Sequence, residues 1–230
     1  CQSAVIIYDQ TRAASPGKLS KALAVKAMKL GAKFLRMQVA SLTGNEDGTY
    51  VLQGQGIIHH CKHLVLAGGF GSVDLLKPLG IRLPLISERG YHAEFSQAGI
   101  ELNHSIMDVA GKFVVSSMVD GVRAAGTTEF AHPDTPANYA RSKSLQHLAK
   151  QLLPDLSIDF PKYWMGVRPS FPDNLPAIGE LENYPNIFTA FGHSHYGMGM
   201  APVTGRIIAG MISGRVANAN IAAVNPQRFL

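Results

Sequence analysis

Between residues 16 and 31, Ala22, Leu23, Lys26, Ala27 and Leu30 fall at helical spacing. Ser15 stands where an N-cap belongs, Pro16 at the first helical position and Gly31 at the end, so this stretch predicts a helix. The pattern then shortens. Residues 33–41, 49–53 and 56–61 read as short strands, the first two joined by the turn Gly44-Asn45-Glu46-Asp47-Gly48. Residues 62–67 form an apolar strand running into Gly68-Gly69, and 72–79 read as a short helix. Strand, small-residue turn and helix make the α/β unit whose crevice binds ligands.

From Ile81 the texture changes. Residues 83–86, 91–95, 104–109, 112–119 and 121–129 are closely spaced strand candidates. Asp120-Gly121 signals a hairpin, since glycine tolerates the positive φ of a tight reversal. One helix is expected over about 136–153, stopped at Pro154. After that come a strand at 186–191, a Gly/His loop at 193–199 and a helix at 202–212. The expected architecture is mixed α/β and α+β. A first α/β segment (1–80) and a last one (166–230) flank a β-rich insert of mixed sheet plus helix (81–165).

Composition narrows the classes. Charged residues are 16% of the 230, against a usual ~25%, and apolar residues are 46%, which excludes disorder and coiled coil. Apolar stretches are short; residues 203–212 already contain Thr204, Gly205, Arg206 and Gly210, far from the ~20 apolar residues of a spanning helix. Cys1 and Cys61 cannot build a disulfide framework or a four-thiolate zinc site, so a reducing compartment is the simpler expectation. The net charge of +5 is dispersed, without a basic stripe, so nucleic acid is not an expected partner. The opening Cys1-Gln2-Ser3 lacks an initiator Met and the features of a signal peptide, and reads as a processed, trimmed or partial chain.

The densest chemistry lies in Tyr163-Trp164-Met165-Gly166-Val167-Arg168-Pro169 and Pro172-Asp173-Asn174-Leu175-Pro176-Ala177-Ile178-Gly179. It continues in Phe191-Gly192-His193-Ser194-His195-Tyr196-Gly197-Met198-Gly199 and Ala201-Pro202-Val203-Thr204-Gly205. Pro169 restricts Arg168 to an extended backbone beside an aromatic, and a planar guanidinium held so suits bidentate capture of a carboxylate. A surface arginine in a loop is the plainer reading of Arg168 alone. Glycines in the 192–199 loop let backbone approach a flat ligand, and the amides opening the next helix favour an anion there. An ordinary strand-to-helix turn has the same composition. His193 and His195 invite a metal, but no Cys or carboxylate stands at a matching spacing, and no metal is expected.

Taken in order, the blocks resemble the carboxy-terminal part of the flavin-dependent D-amino-acid dehydrogenase family, within the wider group of glycine, sarcosine and D-amino-acid oxidases. The matching pieces begin with Ser15-Pro16-Gly17, Gly31-Ala32-Lys33-Phe34 and Leu64-Val65-Leu66-Ala67-Gly68-Gly69-Phe70-Gly71-Ser72. They continue with Glu88-Arg89-Gly90-Tyr91-His92, Val122-Arg123-Ala124-Ala125-Gly126-Thr127-Thr128-Glu129-Phe130 and residues 164–179. The set closes with residues 192–205 and the tail Asn225-Pro226-Gln227-Arg228-Phe229. The family's opening strand and G-x-G-x-x-G turn, which cradles the FAD pyrophosphate, has no match here, so most phosphate contacts are expected from another part.

The resemblance implies FAD as cofactor and oxidative deamination of a D-amino acid. Hydride leaves the α-carbon for the flavin, and the imine hydrolyses to a keto acid and ammonia. It implies that Arg168 grips the substrate carboxylate, with Arg123 nearby, Tyr91 over the substrate and His195 facing it. It places Gly192, His193, Ser194, Tyr196, Gly197, Met198 and Gly199 at the flavin ring, Val39 at the adenine, and Ala67 and Gly68 flanking the cofactor. No side chain is expected to act as a dedicated acid or base. Tyr91 and Trp164 also read as core aromatics, and Arg123 as a partner for Glu129 across its strand. The rival readings are a glycine- or sarcosine-type oxidase of the same fold and a non-catalytic amino-acid-binding fragment. The small amino acid is the expected partner, the electron acceptor and oligomeric state stay open, and the expected location is the cytoplasm, free or peripheral to the inner membrane.

Overall fold

A computed structural model describes residues 4–8, 11–215 and 220–230. The opening Cys1-Gln2-Ser3 lies outside the described residues. The first helix is α1 (Pro16–Lys29), with the Ser15 hydroxyl accepting from the Lys18 N–H and Pro16 in the first turn. The strand expected at 33–41 is not there. Strand β1 is Ser41–Gly44, followed by β2 (Tyr50–Gly54), β3 (Ile57–Cys61) and β4 (Leu64–Leu66). The Asp47 carboxylate accepts from the Thr49 N–H and hydroxyl, which closes the β1–β2 turn with local bonds. The helix expected at 72–79 is α2 (Ser72–Leu76) with a 3₁₀ turn at Lys77–Leu79, where Pro78 ends the α-helical pattern.

The strands expected at 83–86 and 91–95 are one element, β5 (Ile86–Phe95), which runs straight through Glu88-Arg89-Gly90. Then come β6 (Ile106–Asp108), β7 (Phe113–Met118), β8 (Gly121–Phe130) and α3 (Ala140–Leu152). Three further strands follow: β9 (Lys162–Ser170), which carries Arg168, β10 (Ala177–Leu181) and β11 (Tyr184–Phe191). The final long helix, α4 (Gly197–Ile212), starts five residues before the expected position.

Two compact units emerge, and their boundaries differ from the three expected segments. The first unit is Cys1–Phe34, Gly90–Thr127 and Pro136–Met165; the second is Leu35–Arg89, Thr128–Thr135 and Gly166–Leu230. Residues just before α1 are tied to the first unit by hydrogen bonds. The Arg12 guanidinium donates to the Leu102 and Asn103 carbonyls at 3.1 and 3.2 Å, and the Val119 N–H donates to the Ala14 carbonyl at 3.0 Å.

In the first unit, β6 pairs with β7 and β7 with β8, both antiparallel, and alternate residues of β7 turn inward. Phe113, Val115, Val122, Ala124, Ala93 and Phe95 pack with Leu145, Ala149 and Leu156. Each large side chain removed from water there contributes about 1.5–3 kcal/mol. Gly121 at φ 131 permits the β7–β8 reversal, and a Cβ there would collide with the Phe95 carbonyl. The full sheet order is β6-β7-β8-β5-β9.

The second unit holds an antiparallel sheet β1-β2-β3 and a sheet β10-β11-β4, in which β11 runs parallel to β4. Its core gathers Leu42, Tyr50, Leu64, Leu66, Leu76, Ile187, Phe171 and Phe191. A smaller group, Ile178, Phe188 and Ile208, seats α4 on the β10–β11 pair. No described helix is long and apolar enough to cross a membrane. Cys61 is a free thiol whose pKa burial pushes up.

Candidate functional site

The chemistry of the second unit gathers around Glu88, a residue buried to 6% exposure within β5. A carboxylate so placed needs donors. Ser170 Oγ donates to Glu88 Oε2 at 2.8 Å and Thr128 Oγ1 to Oε1 at 3.2 Å, while Ser194 Oγ lies 3.4 Å from Oε2. His195 Nε2 meets Oε1 as well. Burial works to raise the Glu88 pKa, but the Ser170 bond, the charge and hydrogen bond of His195 and the Arg168 charge outweigh it. The carboxyl is therefore held below its usual range.

Arg168 approaches the same oxygen. Its Nη1 stands 3.9 Å from Glu88 Oε1, is buried, and has no hydrogen-bond partner among the described residues. Burial lowers the Arg168 pKa and the Glu88 charge partly opposes this. The strand explains the approach. Arg168 and Ser170 stand two residues apart on β9, hence on one face, and both reach Glu88. Ser170 also forms an isolated antiparallel bridge with His193, which brings the end of β9 beside the loop.

The loop itself is built on Gly192, with φ 84 and its α-carbon against the Phe171 ring. Ser194–Tyr196 is a 3₁₀ turn and α4 begins at Gly197, so Gly197, Met198 and Gly199 are helical rather than loop. No side chain caps α4 and no acidic residue lies in its first turn, so its first amides have no intrahelical acceptor. A Cβ at Gly199 would find open space. His193 Nε2 bonds to Thr204 Oγ1 at 3.0 Å, and burial lowers its pKa. His195 stays about half exposed, and Tyr196 and Met198 are exposed.

A tail clamp supports this loop from below. The Arg228 guanidinium donates to Asp173 (2.7 Å) and to the Leu175 and Asn225 carbonyls (2.7 and 3.0 Å). Its Cζ lies 4.2 Å from the Phe229 ring centroid, and Phe229 stacks on Phe171 at 5.0 Å.

The remaining expected site residues lie elsewhere. Ala67 and Gly68 are exposed just after β4, and Val39 is half-buried in the irregular segment before β1. Tyr91 and Arg123 belong to the first unit. Tyr91 is 1% exposed, its hydroxyl accepting from the Asn138 N–H at 3.1 Å. Arg123 donates through Nε to Glu94 Oε1 at 2.7 Å, so its partner is Glu94 and not Glu129, which pairs with Arg89. Glu94 sits on the neighbouring strand β5, which the alternation within β8 alone could not register. Trp164 is half exposed, stacked on His92 at 4.8 Å, and is not a core residue. Two cavities of about 390 and 420 Å³ lie in the second unit, lined respectively by Phe70, Lys77 and Arg82 and by Leu79, Tyr184 and Gln227, among others. Among the described residues no group of three His, Cys, Asp or Glu side chains could hold a metal ion.

Sequence reasoning missed Glu88, Ser170 and Thr128. The available signal was an adjacent carboxylate and arginine, Glu88 and Arg89, in a run (87–91) whose every position is buried.

The family model described as FAD dependent oxidoreductase (DAO) matches residues 1–211. The chain belongs to that family. It is 36% identical to a D-amino-acid oxidase of Bradyrhizobium diazoefficiens over 98% of this chain and 55% of that protein. It is 33% identical to a D-amino acid dehydrogenase of Paramagnetospirillum magneticum over 92% of this chain and 51% of that one. Among solved structures, glycine oxidase from Geobacillus kaustophilus shares the fold, with a TM-score of 0.80 at 23% identity over 92% of this chain and 58% of that one. The chain thus spans about half the length of the curated relatives it matches.

Proposed function

We propose that the protein containing this chain catalyses FAD-dependent oxidative deamination of D-amino acids, giving an imine and then a keto acid and ammonia. The observation that carries this reading is the buried Arg168 Nη1, unpartnered among the described residues and beside a Glu88 carboxylate already filled by other donors. A fixed guanidinium with a free edge binds a small carboxylate bidentately and so orients the α-carbon.

The start of α4 fits the flavin. Uncapped amides and the open face at Gly199 suit the edge of a flat ring that becomes anionic on reduction. Bound there, FAD supplies the acceptor for the α-hydrogen and its electron pair. In this reading Gly192, His193, Ser194, Tyr196, Gly197, Met198 and Gly199 shape the ring's surroundings, His195 faces the substrate, and Val39, Ala67 and Gly68 border the rest of the cofactor.

Steady-state kinetics of Arg168→Ala in the holoenzyme test the reading. Truncating a buried charge contact costs about 2–5 kcal/mol, so kcat/KM for D-amino acids should fall by roughly 30-fold or more. An unchanged value would remove the assignment. Parallel assays of peroxide formation and dye reduction decide between oxidase and dehydrogenase.

A further inference from the structure

We propose that Glu88 is an internal competitor for the carboxylate site on Arg168, and that Ser170 and Thr128 are the positioning residues that hold it off. The inference rests on the reading of Arg168 as the group that grips the substrate carboxylate.

A carboxylate and a guanidinium taken out of water in one site attract each other strongly and close on contact unless other bonds restrain them. Glu88 is buried and so is Arg168 Nη1, yet Nη1 and Oε1 stand 3.9 Å apart. Closure to the distance of a charge-assisted bond needs a shift of only about 1 Å. A Glu88 oxygen that made this shift would take the Nη1 hydrogen that a ligand carboxylate needs. The nearest rival to the substrate is thus part of the chain.

The restraints act on both of its oxygens. Ser170 Oγ donates to Oε2 at 2.8 Å and Thr128 Oγ1 to Oε1 at 3.2 Å, so the carboxylate cannot turn towards Arg168 without losing one of these bonds. His195 Nε2 meets Oε1 as well. Ser170 is itself 3% exposed, and its backbone bridge to His193 fixes the strand end from which the hydroxyl projects. Arg168 and Ser170 alternate on one face of β9, on either side of Pro169. The strand that presents the guanidinium therefore also presents the hydroxyl that keeps the closest anion away from it.

The test is carboxylate binding to the Ser170→Ala holoenzyme, with benzoate as an unreactive probe titrated by calorimetry. Should Ser170→Ala not fold, Thr128→Val carries the same test on the other oxygen. Once released, Glu88 forms a charge-assisted bond to Arg168 that any ligand must displace, so the benzoate Kd should rise about 10-fold or more. KM for D-amino acids should rise with it, while kcat moves much less. Glu88→Gln keeps the shape of the side chain and removes the competing charge. The double variant Ser170→Ala, Glu88→Gln should therefore bind benzoate as tightly as Glu88→Gln alone, a rescue that a merely structural hydroxyl would not show. Unchanged benzoate affinity, or a loss that Glu88→Gln does not repair, would overturn the proposal. If Arg168→Ala abolishes benzoate binding while the hydroxyl variants bind as before, the competitor falls and the carboxylate reading stands. If Arg168→Ala leaves binding intact, both fall.

Discussion

Replacing Gly192 by alanine probes how the loop that carries His195 is seated. Two separate penalties are readable. Gly192 has φ 84, and a side chain in the left-handed region costs about 1–2 kcal/mol. The new Cβ would also overlap the edge of the Phe171 ring. That ring cannot retreat, because Phe191 lies 5.9 Å away, Phe229 5.0 Å and the Arg228 guanidinium 5.5 Å. Overpacking of this kind costs about 1–3 kcal/mol, so the total is about 2–5 kcal/mol. The two parts separate in a Phe171→Leu background, where the steric part shrinks and the backbone part persists. Urea unfolding of the four proteins, compared at equal m, should give a coupling of about 1 kcal/mol or more. A Gly192→Ala cost below about 1 kcal/mol, or the same cost in both backgrounds, would refute the account of the loop's seat.

The tail clamp and the first unit give further expectations. Arg228→Ala should lower the unfolding free energy by about 2–3 kcal/mol in denaturant titration, since it removes charge-assisted bonds to Asp173 and two carbonyls. The Asp173 carboxyl is held below its usual 3.8, first by the Arg228 hydrogen bond and against burial. Its contribution should therefore be present above about pH 4 and fade as pH falls below that, and Asp173→Asn should remove this dependence. His92 is pushed from 6.5 down to about 4 by burial and the Arg123 charge, with Glu94 opposing. Below pH 6.5 the unfolded chain takes up this proton first, so stability should drop between pH 6.5 and 4, by at most about 3 kcal/mol. His92→Gln should flatten that slope in urea midpoints measured across the range.

Elements governed by local chemistry were legible in the sequence. Helix α1 follows its cap and periodicity, and the β7–β8 hairpin follows Asp120-Gly121. Elements whose stability comes from distant partners were not. The charges of Glu88 and Arg89 break the apolar pattern of β5 and divide it into two expected strands, yet the backbone continues because both buried side chains find partners, Ser170 and Glu129. Helix α4 opens on Gly197-Met198-Gly199, where each glycine weakens helix propensity by about 1 kcal/mol, so periodicity became visible only from Pro202. Tertiary contacts through Ile208 and the His193–Thr204 bond hold the earlier turn in place.

The same division explains what was visible of the site. Arg168 and the Gly/His loop stand out because proline and glycine mark them locally, whereas Glu88 acquires meaning only from the strand face that Arg168 and Ser170 share. The geometry then separates two uses of an arginine. Were Arg168 present to neutralise Glu88, the pair would close to about 2.7–2.9 Å, the distance of charge-assisted bonds. It stops at 3.9 Å, while the hydroxyls of Ser170 and Thr128 and the ring of His195 hold the Glu88 oxygens. A carboxylate engaged by these other donors leaves the guanidinium only partly compensated, and the burial that lowers the Arg168 pKa makes a further anion favourable there. A small carboxylate bound at Nη1 would supply that charge and the missing hydrogen bond at once.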